Sequence, residues 1–177
     1  ETNRVNLALL GGGAHGAFTW GVLDRLLEDG RLEFDGVSGT SAGAMNAAAL
    51  AAGFERGGRD GARETLERFW RGVSEAGQIA EFFIKGPFAG VLDGRENRIT
   101  ETTPGYLLFD ALSRMLSPYQ FNPLNLNPLR PVIDSAIDPA ALGPEPKIKL
   151  FVSATAVRTG KIKVFAGEKV TTDALLA

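Results

Sequence analysis

The first 53 residues repeat one pattern, in which a short apolar segment is followed by a glycine-rich loop and a helix. Residues 5–10 form an apolar run of strand length, and apolar residues then recur at helical spacing until Asp29-Gly30. Residues 34–38 predict a second strand, followed by a glycine loop and an alanine-rich helix that we expect to end at Gly53. This alternation predicts an α/β fold with a central, mainly parallel sheet sandwiched by helices.

The remainder of the chain is less regular. Residues 61–73 predict a third helix with one apolar face, whereas residues 77–127 have no sustained period and predict an insertion of short helices and loops. We expect one domain across residues 1–177, incomplete at its C-terminus because its last predicted helix runs to the final residue. The elements predicted after the insertion are a helix at 129–137, a strand hairpin from 148–157 and 161–165, and a helix at 171–177.

Composition excludes several functional classes. Hydrophobic residues at 44% and charged residues at 23% are typical of a globular domain. A net charge of −2 with interspersed signs provides no basic stripe, so nucleic acid is not an expected partner. No apolar run reaches the roughly 18–20 residues of a membrane span, and we expect a cytoplasmic or peripheral-membrane protein. Without cysteine there is no disulfide, thiolate metal site or cysteine nucleophile, and we expect no metal site.

The second glycine loop carries a nucleophile motif. Gly39-Thr40-Ser41-Ala42-Gly43 fits G-x-S-x-G between a predicted strand and a predicted helix. A serine on such a sharp turn exposes its hydroxyl at the carboxyl edge of the sheet, and only small flanking residues fit the crowded backbone. The helix that begins at Ala42 adds free N–H groups and the positive end of its dipole. Ser41 is therefore the predicted nucleophile; the alternative is that it only caps the helix.

The first glycine loop is Gly11-Gly12-Gly13-Ala14-His15-Gly16. Its three consecutive glycines follow the first strand, where backbone N–H groups can approach an oxyanion without side-chain obstruction. Loops that follow parallel strands emerge at one edge of the sheet, so both loops are predicted to face one site. We predict an oxyanion hole formed by Gly11, Gly12, Gly13 and Ala42. The single histidine, His15, is expected to be a loop side chain rather than a catalytic group.

The first loop also permits another interpretation. Gly11, Gly13 and Gly16 match G-x-G-x-x-G, the dinucleotide-binding fingerprint, and Asp35 lies at about the distance at which an acidic residue binds a ribose. A nucleotide-binding module therefore remains an alternative. Against it, Asp35 precedes most of the second strand, and the interpretation leaves the Ser41 turn unexplained.

Taken together, the loops at Gly11–Gly16 and Gly39–Gly43 resemble the N-terminal motifs of the patatin-like phospholipase family, bacterial branch. The run from Phe121 to Leu129 is also similar to that branch. The resemblance implies a three-layer α/β fold and hydrolysis of lipid acyl esters by a Ser-Asp dyad without histidine, as in phospholipase A, lysophospholipase or esterase activity. It implies a lipid or acyl ester substrate and no cofactor.

The resemblance also implies a catalytic aspartate in an Asp-Gly-Gly or Asp-Gly-Ala motif late in the domain. Asp60-Gly61-Ala62 is an internal match, but it directly follows the nucleophile helix, where aspartate is an ordinary helix cap. We therefore expect the partner aspartate of Ser41 to come from outside these residues, on a companion C-terminal segment or chain.

Two further functions stay open at this point. An acyltransferase of the malonyl-transferase type resembles the family in fold but uses a histidine beyond the nucleophile. A catalytically inactive scaffold would keep the fold without turnover that depends on Ser41. Apolar side chains of the insertion are candidates for an acyl pocket, a lip resting on lipid, or simply core under a long loop: Phe82, Phe83, Ile84, Phe88 and Val91.

Overall fold

A computed structural model describes residues 3–85, 127, 129–143 and 145–177, without the side chains of residues 77–85 and 141. The chain divides into two compact units, residues 1–76 with 129–177, and residues 77–128. All the described strands belong to the first unit. The predicted lining residues of the insertion and residues 121–126, which contribute to the resemblance to the bacterial branch, lie outside the described side chains.

A four-stranded sheet forms the centre of the first unit. Its spatial order follows the chain, with β1 at Asn3–Leu9, β2 at Leu32–Thr40, β3 at Lys149–Thr155 and β4 at Ile162–Ala166. The first three strands are parallel, and β4 pairs antiparallel with β3 as the second arm of a hairpin. The predicted α/β class with a mainly parallel sheet is confirmed, and the predicted hairpin is present.

Register determines which face of the sheet lies in the core. Leu7 of β1 pairs with Val37 of β2, which in turn pairs with Leu150 of β3. Val37 and Leu150 are buried together with Leu23 and Leu27 of the first helix. Because side chains alternate along a strand, the neighbouring positions point to the opposite face. One sheet face therefore packs against helices and holds the core.

Four α-helices accompany the sheet in the described part of the chain: α1 at Gly16–Asp29, α2 at Ala42–Lys85, α3 at Leu129–Ala136 and α4 at Thr172–Leu176. The α1 helix ends at Gly30, which is left-handed with φ +74°. The α4 helix begins at Thr171, whose side chain accepts a hydrogen bond from the Ala174 nitrogen at 3.2 Å. None of the described helices has the length and apolar character needed to cross a membrane.

The predicted end of the second helix at Gly53 is wrong. The α2 helix continues through Gly53 to a kink at Gly57 and Gly58, where the backbone leaves helical geometry, and then resumes. Residues 42–56 form its first arm and residues 59–85 its second arm, so the predicted third helix at 61–73 is part of a longer one.

Close packing between the two arms explains the glycine at position 53. Gly53 is buried, and a Cβ atom there would lie 2.5 Å from the Gly61 carbonyl oxygen and 2.6 Å from the Ala62 Cα. The two arms thus fold back on each other as a helical hairpin. Gly53 serves the contact between the arms rather than the end of a helix.

Candidate active site

Ser41 lies between the end of β2 and the start of α2. Its backbone has φ +50°, a value that residues with side chains rarely adopt. The Ser41 carbonyl oxygen accepts hydrogen bonds from the Ala44 nitrogen at 2.9 Å and the Met45 nitrogen at 3.1 Å, which begins the helix immediately. The residue is exposed at the carboxyl end of a parallel strand. The structure therefore places a strained, accessible serine at a strand-to-helix turn, as the motif predicts.

The flanking glycines of this turn have no room for a side chain. A Cβ atom on Gly39 would lie 2.6 Å from the Ala44 nitrogen, and a Cβ atom on Gly43 would lie 2.6 Å from the Leu10 carbonyl oxygen. Both distances are shorter than real Cβ contacts. Backbone from the helix and from the end of β1 therefore crowds the turn on both sides.

The first glycine loop lies directly against the Ser41 turn. A Cβ atom on Gly11 would lie 3.0 Å from the Ser41 Cβ and 3.2 Å from the Thr40 carbonyl oxygen. The pairing of Leu9 with Gly39 brings the ends of both strands to one edge of the sheet. The structure thus brings the two predicted loops together.

Within that loop the backbone is open to solvent. Residues 11–15 are all exposed, and Gly13 has φ +56° with nothing within 4 Å of a Cβ position. His15 is exposed as well, and its Nδ1 lies 3.2 Å from the Gly12 carbonyl oxygen of the same loop. An accessible backbone next to a serine is the arrangement that an oxyanion requires.

Sequence reasoning missed a polar contact behind the two loops. Asn46, in the first arm of α2, is fully buried; its Nδ2 donates to the Gly16 carbonyl oxygen at 2.9 Å. Its Oδ1 accepts from the Trp70 Nε1 at 2.8 Å. The available signal was an asparagine inside an alanine run, one helical turn beyond the Ser41 turn, where a lone polar side chain would be buried.

The two aspartates weighed from sequence lie elsewhere. Asp35 is in the middle of β2 and forms an ion pair with Lys149 at 3.6 Å, away from the strand end where a ribose would bind. Asp60 follows the kink of α2, next to Gly61 and therefore level with Gly53. At 1.5 Å per helical residue, Gly53 is roughly 18 Å along the helix from Ser41. Neither aspartate joins the two glycine loops.

Electrostatic perturbations among the described residues are found away from the Ser41 turn. A hydrogen bond from Arg31 lowers the pKa of Asp29, at the opposite end of α1 from the glycine loop. The Asp24 carboxylate raises the pKa of Arg63 in the same way, with the Arg63 Nε 2.8 Å from Asp24 Oδ1. The described residues contain no cluster of three histidine or acidic side chains that could hold a metal ion. Among the described residues, the groups at the two loops include the Ser41 hydroxyl and backbone N–H groups.

Residues 7–175 match the family described as patatin-like phospholipase. This chain belongs to that family. Patatin-like phospholipases are hydrolases of lipid acyl esters, and membership implies this activity for the present chain. No individual curated protein and no solved structure matches the sequence. The family predicted from the two glycine loops is confirmed, whereas its bacterial branch remains a prediction.

Both glycine loops and all of β2, β3 and β4 lie within the matched residues of this patatin-like chain. The match ends inside α4, at residue 175. The four-stranded, mostly parallel sheet with flanking helices is consistent with the patatin fold. The observed fold and the family match therefore agree with each other.

Proposed function

We propose that this chain is a serine lipid acyl hydrolase with Ser41 as its nucleophile. The observation that carries the proposal is the contact between the two loops. Ser41, with φ +50°, is exposed, and a Cβ atom on Gly11 would lie only 3.0 Å from the Ser41 Cβ. A hydroxyl beside an open glycine backbone suits acyl transfer, in which the attacking oxygen and the oxyanion donors must lie around one carbonyl group. Membership of a lipid acyl hydrolase family supports this interpretation.

The reaction proceeds through an acyl-enzyme. The Ser41 oxygen attacks the ester carbonyl carbon while a carboxylate accepts the hydroxyl proton. Backbone N–H groups of Gly12, Gly13 and Ala42 donate to the oxyanion of the tetrahedral intermediate, and Gly11 holds the loop against Ser41. The alcohol then leaves with the proton, and water hydrolyses the acyl-enzyme by the same steps in reverse order. Each donor of this kind contributes about 3–4 kcal/mol to transition-state stabilisation.

The proton acceptor in this proposal is an aspartate outside the present residues, forming a Ser-Asp dyad. Within the described part of the chain, the Ser41 hydroxyl has no hydrogen bond to a carboxylate. The internal candidate Asp60 lies at the far end of the helical hairpin. His15 contacts its own loop and is given no role in catalysis.

Exposed apolar side chains beside the glycine loop support a lipid substrate. Leu10, directly before Gly11, is 83% exposed, and Phe18, in the first turn of α1, is 79% exposed. Large apolar side chains exposed near a site are typical of contact with apolar ligands or with a lipid surface. We therefore propose a lipid or acyl ester substrate, met at a peripheral membrane contact. The proposal covers phospholipase A, lysophospholipase and esterase activity, whose substrates differ in head group and in the position of the ester that is cleaved.

Burst hydrolysis of a p-nitrophenyl acyl ester series tests the proposal, with intact mass measured on the stopped reaction. With the segment or chain that carries the aspartate present, the protein with Ser41 is expected to show a burst and an acyl adduct. The Ser41→Ala variant is expected to lose both, with kcat lower by about 10⁴-fold or more. Ser74→Ala, an exposed serine on the second arm of α2, is the matched control and retains wild-type turnover.

Because the proposal requires an aspartate from outside these residues, the assay is repeated on a longer chain that carries it. If the burst appears only in a longer chain that carries the aspartate, the dyad is supported and the serine role with it. If that longer chain has no burst that depends on Ser41, the proposal is overturned.

A further inference from the structure

One buried amide joins three segments behind the proposed site. Asn46 has no exposed surface, yet both polar ends of its side chain have partners: Gly16 on one side and Trp70 on the other, at 2.9 and 2.8 Å. Burying an amide without hydrogen bonds is unfavourable by about 1–3 kcal/mol, so satisfying both ends restricts the side chain to one orientation. The amide therefore links the start of α1 to both arms of α2.

The surroundings of Gly16 leave the glycine loop little freedom at this end. A Cβ atom on Gly16 would lie 2.8 Å from the Trp70 Cζ2 and 2.9 Å from the Ala42 Cβ. Ala42 is the residue that follows Ser41 and one of the proposed oxyanion donors. The indole of Trp70 thus packs against Gly16, at the end of the glycine loop, and its N–H group orients the Asn46 amide.

The rest of the loop has fewer restraints. Residues 11–15 are exposed. Across the described residues, Asn46 provides the one side-chain hydrogen bond that reaches the loop at 11–16 from another element. Oxyanion donors must lie 2.7–3.1 Å from the developing charge, so the loop needs a fixed anchor on the element that carries the nucleophile. Asn46 belongs to the helix that begins directly after Ser41.

We propose that Asn46 is a positioning residue of the hydrolase: through Gly16 it sets the glycine loop relative to Ser41, and Trp70 holds its amide in the required orientation. The inference rests on the proposed function. In this role Asn46 does not contact the substrate. Loss of the Asn46 side chain displaces the loop without removing a reacting group, so the variant is expected to have a lower kcat rather than a higher KM.

Kinetics of four variants test this role, with active sites counted from the burst amplitude. Asn46→Leu keeps the branched shape of the side chain but removes both hydrogen bonds. Trp70→Phe removes the indole donor together with ring atoms that pack against Gly16. We expect kcat to fall about 10- to 100-fold in Asn46→Leu and by less in Trp70→Phe, with KM within about twofold of wild type. Leu27→Ala, a buried change at the opposite end of α1 from Gly16, destabilises the protein and leaves kcat per active site unchanged.

Asn46→Asp supplies a signature that a purely structural role would not produce. A protonated carboxyl can again donate to the Gly16 carbonyl, whereas the carboxylate cannot. Its kcat relative to wild type is therefore expected to rise as pH falls. A ratio that stays low at every pH, or a kcat in Asn46→Leu no lower than in Leu27→Ala, overturns the proposal.

Hydrogen exchange separates this inference from the proposed function. The segment 11–16 is expected to exchange faster in Asn46→Leu than in wild type, while the C-terminal turn of α1 exchanges alike in both. If wild type shows no turnover that depends on Ser41, the proposed function fails, and the exchange of this segment alone decides whether Asn46 positions the loop. Unchanged exchange in 11–16 then contradicts the inference. Should Asn46→Leu fail to fold, Trp70→Phe and Asn46→Asp provide the same comparison.

Discussion

The two loops that follow β1 and β2 meet at one edge of the sheet but are held in different ways. The turn at 39–43 is crowded by backbone, since added Cβ atoms on Gly39 and Gly43 would each lie 2.6 Å from a main-chain atom. The loop at 11–15 is exposed, and around Gly13 there is nothing within 4 Å of a Cβ position. Ser41 is therefore held by the packing of its own turn, whereas the glycine loop is held mainly at its two ends.

This difference predicts that the two loops fail in different ways. Added bulk in the Ser41 turn must move backbone that belongs to the core, and so it affects folding first. Added bulk in the glycine loop can be accommodated toward solvent, so we expect it to affect first the alignment of the proposed oxyanion donors. Glycine-to-alanine changes at equivalent points of the two loops measure the contrast directly.

The largest stability effect is expected from Gly43→Ala. Its Cβ would meet the Leu9 and Leu10 carbonyl oxygens, neither of which can rotate away, and we expect a loss of about 3 kcal/mol or more in the free energy of unfolding. Denaturant titration measures it. Gly21→Ala, the same change at an exposed position within α1 with nothing within 4 Å, is the control and should gain about 0.5–1 kcal/mol. Equal stabilities for the two variants would refute the crowded turn.

Gly11→Ala tests the contact between the loops. The new Cβ would lie 3.0 Å from the Ser41 Cβ, so the loop must shift by a few tenths of an ångström. We expect kcat for a soluble ester to fall about tenfold or more, because small displacements of catalytic groups are costly, with a stability change below about 1 kcal/mol. A variant with wild-type kcat would show that the loop does not align the reaction.

Gly13→Ala is expected to act mainly through its backbone. At φ +56° an alanine is strained by about 1–2 kcal/mol, and the smaller entropy of its unfolded chain offsets about 0.4–1 kcal/mol. The net loss in unfolding free energy is therefore about 1 kcal/mol. Since the N–H group remains, kcat should fall less than in Gly11→Ala. A loss as large as that of Gly43→Ala would contradict the open environment of this loop.

Thr171→Ala provides a reference outside both loops. It removes the side-chain acceptor for the Ala174 nitrogen at the start of α4, which is a cap of a short helix. We expect a loss of about 0.5 kcal/mol in the free energy of unfolding and an unchanged kcat. Thermal unfolding and the burst assay measure the two quantities; a change in kcat would mean that the site responds to small losses of stability anywhere in the molecule.

The order of the elements, the mainly parallel sheet and the family could be predicted from the sequence. Residues 5–10 and 34–38 are apolar runs that end at glycines, and such signals act within a few positions of the chain. The nucleophile motif is local in the same sense, because strain at Ser41 and the small size of Gly39 and Gly43 belong to one turn. Local chemistry therefore determined where the two loops lie and what each contains.

Contacts between distant segments were decided only by the tertiary structure. Gly53 carries the signal of a helix end, but in the fold it faces Gly61 across the helical hairpin. Asn46 is one polar residue in an alanine run until Trp70 and Gly16 are brought to its two ends. The physical reason is that packing and hydrogen bonding depend on distances through space, and these distances depend on a kink at residues 57–58 that local periodicity does not report.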